Sequence, residues 1–332
     1  MRGRTLCRVY LFFIVSFYSC VGTALGLSVI LYGADTPRWM SAILAAEASS
    51  DARDAEVWFK RGNNMVMLGR YEEALEYYDN ALRVDPRFTR AWSNKGNTLG
   101  MLKRYWEALE CFDRALEINH QDAYAWNGRG NVLIGLKNYI EALESLEKAL
   151  GIDPKYAYAW NSKGNALVQM KRYNEALESY DKALEIDPRF VDAWFNKGNT
   201  LTEAERYEEA LDAYDRVLVL EPKSASGWYG KGEALNQLER YEEALRCYDL
   251  ALERLPNFAE AWNGKANVLN KLGRYSEAVE CCNKALEIDP QQEDAWLNKG
   301  MALKGLGSPE EAQKCYEKAK IRKEDLETSR KN

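Results

Sequence analysis

Tryptophan recurs at positions 58, 92, 126, 160, 194, 228, 262 and 296, an unbroken interval of 34 residues. A strict period of this length argues against one globular core and for a stack of equal units. No single unit can bury its own apolar face. Other positions repeat in step. Four residues after each tryptophan stands glycine (Gly62, Gly96, Gly130, Gly164, Gly198, Gly232, Gly300), with Ala266 the exception. Sixteen after it comes alanine in every unit, from Ala74 to Ala312. Twenty after it come Tyr78, Phe112, Leu146, Tyr180, Tyr214, Tyr248, Cys282 and Tyr316. Between these the apolar positions follow helical spacing. The small residues mark where two antiparallel helices cross closely. Tyr71 and its equivalents mark the start of a second helix, and prolines such as Pro86 and Pro154 end it.

These residues together resemble the tetratricopeptide repeat family, of prokaryotic type. The resemblance implies an all-α, right-handed α-solenoid of eight tandem helix–turn–helix units over residues 55–326, starting near 55, 89, 123, 157, 191, 225, 259 and 293. The last unit departs from the pattern. Pro309 replaces its tyrosine within Ser308-Pro309-Glu310-Glu311, and Glu324 stands where proline is expected, so the final helix is expected to run on into the polar tail at 327–332.

The chain before the repeats is of another kind. Residues 1–8 carry Arg2, Arg4 and Arg8, and residues 9–34 carry no charge. As a helix that run spans about 39 Å, against about 30 Å of bilayer hydrocarbon. It reads as a transmembrane anchor, with a cleaved signal sequence as the alternative. The arginines on its N-terminal side place the N-terminus in the cytoplasm and the repeats outside it; with signal cleavage the repeats would be secreted. Residues 35–54 read as a short helix and linker, whose Trp39, Ile43 and Ala46 could cover the first repeat.

Charge and chemistry exclude several functions. The formal net charge is −6, and nothing resembles the basic stripe that nucleic acid requires. Of the seven cysteines, Cys111, Cys247, Cys281 and Cys315 share one repeat position, as small packing residues would. A single histidine, His120, lies in a linker between units. Metal sites and histidine-based catalysis thus lack their parts, and there is no phosphate-binding glycine loop. The expectation is a protein without enzyme activity, cofactor, metal or small-molecule substrate.

In the family the resemblance points to, the first helices of successive repeats line a concave groove. The residue after each conserved glycine would face it, giving a ladder of Asn63, Asn97, Asn131, Asn165, Asn199 and Asn267, interrupted by Glu233 and ended by Met301. An amide both donates and accepts, so it can pair with an extended peptide backbone. Phe59, Phe195 and Tyr229, directly after their tryptophans, and Tyr124 and Tyr158, two before theirs, are candidates for the groove wall. For all of these the plainer reading is ordinary packing between helices. The residue before each glycine is basic in every unit, from Arg61 to Lys299. Its stem can cover apolar surface, or the row can bind anions. The lysine of the family's carboxylate clamp is missing, since its position reads Phe59, Ser93, Asn127, Asn161, Phe195, Tyr229, Asn263 and Leu297.

The function expected is a membrane-tethered scaffold whose groove binds an extended segment of a partner protein. The alternatives are a self-associating spacer and a module that presents a separately encoded enzyme.

Overall fold

The structure is a computed structural model that describes residues 54–329. The basic segment, the apolar run and the short helix expected before residue 54 lie outside the described residues. Sixteen helices and no strand occur among the described residues, from Ala55–Met67 and Tyr71–Val84 to Glu293–Gly305 and Pro309–Ser329. They pair into eight hairpins at the expected 34-residue period. Seven second helices begin at the repeated tyrosine and the eighth at Pro309, whose helix continues to Ser329 as Glu324 suggested. No helix among the described residues is long and apolar enough to cross a membrane.

Each first helix packs against its own second helix, and each second helix packs against the next first helix. The close crossing lies at the conserved glycine. A Cβ on Gly164 would sit 2.5 Å from Cε1 of Tyr180, and one on Gly62 would sit 2.6 Å from Cε1 of Tyr78. The same partners, sixteen residues apart, recur along the array. In repeat 7 the small Cys282 replaces the aromatic ring, and there alone the glycine gives way to Ala266; both residues are fully buried. Two sequence departures are thus one complementary exchange, as dense packing requires. Ala74, Ala108, Ala142 and Ala176 are likewise fully buried.

The turn inside each hairpin ends the first helix with one residue in the left-handed region, where the following amides reach back to the last turn. In the second repeat Lys103 N–H donates to the carbonyl of Gly100 and Arg104 N–H to that of Leu99. Glycine fills this position at Gly69, Gly273 and Gly307, but Lys103, Lys137, Lys171, Glu205 and Glu239 hold it with φ between 58° and 61°.

The linker between hairpins is tied to the tryptophan. The indole N–H of Trp92 donates to the carbonyl of Pro86 at 3.0 Å, and Trp160, Trp194 and Trp262 do the same to Pro154, Pro188 and Pro256. In the third repeat the acceptor is the carbonyl of His120, which makes that residue a linker member, as expected from its place in the sequence. The repeated tryptophan thus joins the first helix to the end of the preceding unit, with its ring against apolar neighbours and its N–H satisfied.

The described cysteines, Cys111, Cys247, Cys281, Cys282 and Cys315, are buried free thiols. Burial pushes the thiols of Cys111, Cys247 and Cys281 up to about 11, so they stay protonated and unreactive at neutral pH.

Candidate functional site

The ladder residues sit on the first helices at equivalent turns, but they are not free alike. Where the second helix carries tyrosine, its hydroxyl donates to the ladder carbonyl: Tyr78 to Asn63 Oδ1 at 2.7 Å, Tyr180 to Asn165 Oδ1 at 2.8 Å and Tyr214 to Asn199 Oδ1 at 2.7 Å. Desolvation raises these phenols, Tyr78 and Tyr214 to about 12. In these three repeats the tyrosine takes one acceptor site of the amide oxygen and leaves its N–H donors for a ligand. In repeats 2, 3 and 7 the opposing residue is Phe112, Leu146 or Cys282, and no such bond forms. Asn97 instead donates from Nδ2 to the Tyr124 hydroxyl at 2.5 Å, and Asn267 donates to Asn298 Oδ1 at 3.4 Å. Asn131 is exposed and its side chain makes no hydrogen bond among the described residues. The ladder amides are therefore engaged on different sides: the carbonyl accepts at Asn63, Asn165 and Asn199, the amide N–H donates at Asn97 and Asn267, and Asn131 uses neither side.

A second amide row escaped the sequence reading. Asn94 Nδ2 donates to Asn63 Oδ1 at 2.8 Å, Asn196 Nδ2 to Asn161 Oδ1 at 3.0 Å, and Asn298 Nδ2 to Asn263 Oδ1 at 2.8 Å. These bonds cross from one repeat to the next and fix neighbouring first helices against each other. The signal was available in the asparagines one and two places after the tryptophans.

The aromatic candidates divide. Phe59 is 6% exposed, with its ring centroid 5.0 Å from that of Phe88 and 6.1 Å from that of Tyr78, so it belongs to the core and not to a groove wall. Phe195 and Tyr229 are half-buried, each 6.1 Å from the tyrosine of its own second helix, and Tyr229 also packs on Phe258 at 5.0 Å. Tyr124 and Tyr158 are exposed, Tyr158 with its ring 4.7 Å from Phe190.

Six members of the basic row are paired with carboxylates and so are not anion sites. Lys95, Lys197, Lys231 and Lys265 bond Asp79, Asp181, Asp215 and Asp249 of the preceding repeat at 2.5 Å, and Lys163 bonds Glu147 at 3.0 Å. Arg129 pairs with Asp113 at 2.8 Å. These cations also lie over the tryptophan of their own repeat, as Lys95 does at 5.6 Å from the Trp92 ring. The stems cover the indoles while these six charges are neutralised across the seams.

Two cavities open on the face of the first helices. One, of about 540 Å³, spans repeats 1 to 3 and is lined by Asn63, Asn97 and Asn131 together with Asn94, Tyr124, Met67, Met101 and Val132. No acidic or basic side chain lines it. It is joined by one chain of hydrogen bonds, since the Tyr124 hydroxyl also donates to Asn94 Oδ1 at 3.3 Å. The other cavity, of about 490 Å³, spans repeats 6 to 8 and includes Tyr229 and Asn267 among its walls. The structure thus brings six candidates into cavities in the first three repeats and the last three. Asn165, Asn199, Tyr158 and Phe195 line neither.

The described residues contain no group of three potential metal ligands. Among solved structures, the chain is similar to the hetero-tetramer Cut9-Hcn1 of the APC/C, with 13% identity, 82% of this chain and 54% of that chain covered and a TM-score of 0.62. It is similar to a tetratricopeptide repeat protein from Parabacteroides merdae, with 17% identity, coverage of 75% and 98% and a TM-score of 0.57. It also matches YrrB, described as a TPR protein with an unusual peptide-binding site, with 27% identity, coverage of 56% and 96% and a TM-score of 0.47. No curated protein matches. Family models of the tetratricopeptide repeat match residues 55–88, 89–122, 123–156, 157–190, 179–212, 198–257, 259–292 and 281–314. With the hairpin period, the glycine–tyrosine crossing and these matches in agreement, the chain belongs to the tetratricopeptide repeat family.

Proposed function

We propose that this protein is a non-enzymatic scaffold that holds an extended segment of a partner protein along its first helices. The observation that carries the reading is the cavity over repeats 1 to 3. It joins three ladder asparagines to exposed Met67 and Met101 without one charged group. The amides of Asn63, oriented by buried Tyr78, and of Asn131, which has no partner of its own, suit the backbone groups of an extended segment, while flexible methionines accommodate apolar side chains of varied shape. The uncharged run at residues 9–34 supports a membrane tether for the array, with the repeats outside the cytoplasm as the arginine placement suggests.

The test compares proteins captured from cell extract by three immobilised chains: wild type, the groove variant Asn97→Ala/Asn131→Ala, and the outer-helix variant Glu110→Ala/Glu144→Ala. The wild type and the outer-helix variant should capture the same proteins, and the groove variant should lose them. Retention by the groove variant, with loss from the outer-helix variant, would move the binding surface to the opposite face.

A further inference from the structure

Two rows along the groove change chemistry from one end to the other. The ladder row is amide through repeats 1 to 5 and becomes carboxylate at Glu233 in repeat 6. The row two residues before each tryptophan reads Glu56, Arg90, Tyr124, Tyr158, Asp192, Ser226, Glu260 and Asp294 from repeat 1 to repeat 8. Equivalent positions in equivalent hairpins present their side chains alike. Of the carboxylates in these rows, Glu233, Glu260 and Asp294 fall in repeats 6 to 8, Asp192 lies in repeat 5, and Glu56 in repeat 1 pairs with Arg90 at 2.7 Å; none lines the cavity over repeats 1 to 3.

Glu233, Glu260 and Asp294 all line the cavity of about 490 Å³ over repeats 6 to 8, and Lys271 is the one cation beside them. Three carboxylates against one ammonium leave a charge of −2. Lys271 makes no ion pair with them: its Nζ donates to Asn236 Oδ1 on the same wall at 3.0 Å and lies 5.3 Å from the Tyr241 ring centroid. Glu233 Oε1 accepts from the Tyr248 hydroxyl at 2.5 Å. The carboxylate occupies room left by Gly264, whose Cβ, if present, would sit 2.9 Å from that oxygen. Burial holds the Glu233 carboxyl above its usual range, a penalty that a cation entering the cavity would relieve. A further acceptor, Gln292 Oε1, belongs to the same wall and is buried without a hydrogen-bond partner. The Tyr229 ring completes a site with carboxylates, an idle carbonyl and an aromatic side chain, a combination that suits an ammonium or guanidinium. The acids do not form a metal-ligand group.

We propose that the groove over repeats 6 to 8 recognises a lysine or arginine side chain, so that the bound segment is a basic extended peptide whose uncharged stretch lies over repeats 1 to 3. This rests on the groove reading above and adds the chemistry of the partner. Charge complementarity of this kind selects partners and sets the salt dependence of association.

The test selects peptides from a random 16-residue phage-displayed library on the immobilised full chain and, in parallel, on the variant Glu233→Gln/Glu260→Gln/Asp294→Asn. Circular dichroism confirms that the variant is folded. Wild-type selections should be enriched in lysine and arginine, and variant selections should lose that enrichment. A synthetic peptide from the wild-type selection should bind the variant at least tenfold more weakly, and Lys271→Gln, which removes the opposing cation, should bind it more tightly. Peptides selected without basic enrichment, or bound equally by the triple variant, would overturn this inference and leave the groove reading standing. Failure of every chain to select any peptide would overturn both.

Discussion

Tyr180 decides what Asn165 can offer. Its buried hydroxyl donates to the asparagine carbonyl, so the amide is oriented before any ligand arrives. Asn165→Ala strands that hydroxyl and is expected to cost about 1–3 kcal/mol. Asn131→Ala, at an exposed amide with no such partner, should cost under about 0.5 kcal/mol. Urea unfolding of Asn165→Ala, Tyr180→Phe and their double variant checks this: the double variant should lose less than the sum of the singles. Equal costs at Asn131 and Asn165 would show that the tyrosine bond does not support the ladder. That the asparagines recur at one turn of successive first helices was legible from spacing, and that this turn faces a groove was what the family resemblance implied. Which face of each amide is already occupied was not legible, because that depends on a hydroxyl from the second helix.

Within the hairpin, the turn holds a local cost. Lysine or glutamate occupies the left-handed position in five repeats, although the conformation favours glycine. Lys171→Gly is expected to raise stability by up to about 1 kcal/mol, the relief of strain being partly offset by the freer unfolded chain. Gly273→Lys should lower it by a similar amount, and shifts of the guanidinium midpoint in opposite directions would establish the pair. No gain at Lys171 would mean that its environment already compensates the strain. Helix starts were readable from tyrosine and proline because those residues mark ends by themselves. Lysine carries no such mark, so five turns of positive φ had no signature in the sequence. The basic row shows a similar limit. Its period was plain, but neutralisation by Asp79, Asp181 and their equivalents follows from how neighbouring repeats are offset.

Across the whole array, stability should be a sum over units and seams. Deleting residues 157–190 removes one repeat and brings Trp194 to the carbonyl of Pro154 and Lys197 to Glu147. Both replace like with like, since Trp160 and Lys163 use those same partners. The shortened chain is expected to fold cooperatively, with its denaturant m value reduced by about one-eighth, in proportion to the surface lost. Circular dichroism during guanidinium unfolding checks this, and a broad, non-cooperative transition would refute the interchangeable-seam picture. The solenoid itself could be read from the 34-residue period because every unit repeats the same instructions. The division of the groove into a neutral end and an acidic end rests on the few positions where units differ, and a repeat consensus conceals such positions. The tryptophans that clip each linker carry an optical consequence. Their indoles share nearly one environment from unit to unit, so their share of the intrinsic emission, apart from that of exposed Trp106, reports the average state of the array, and the loss of one hairpin would register as a fractional step in that signal.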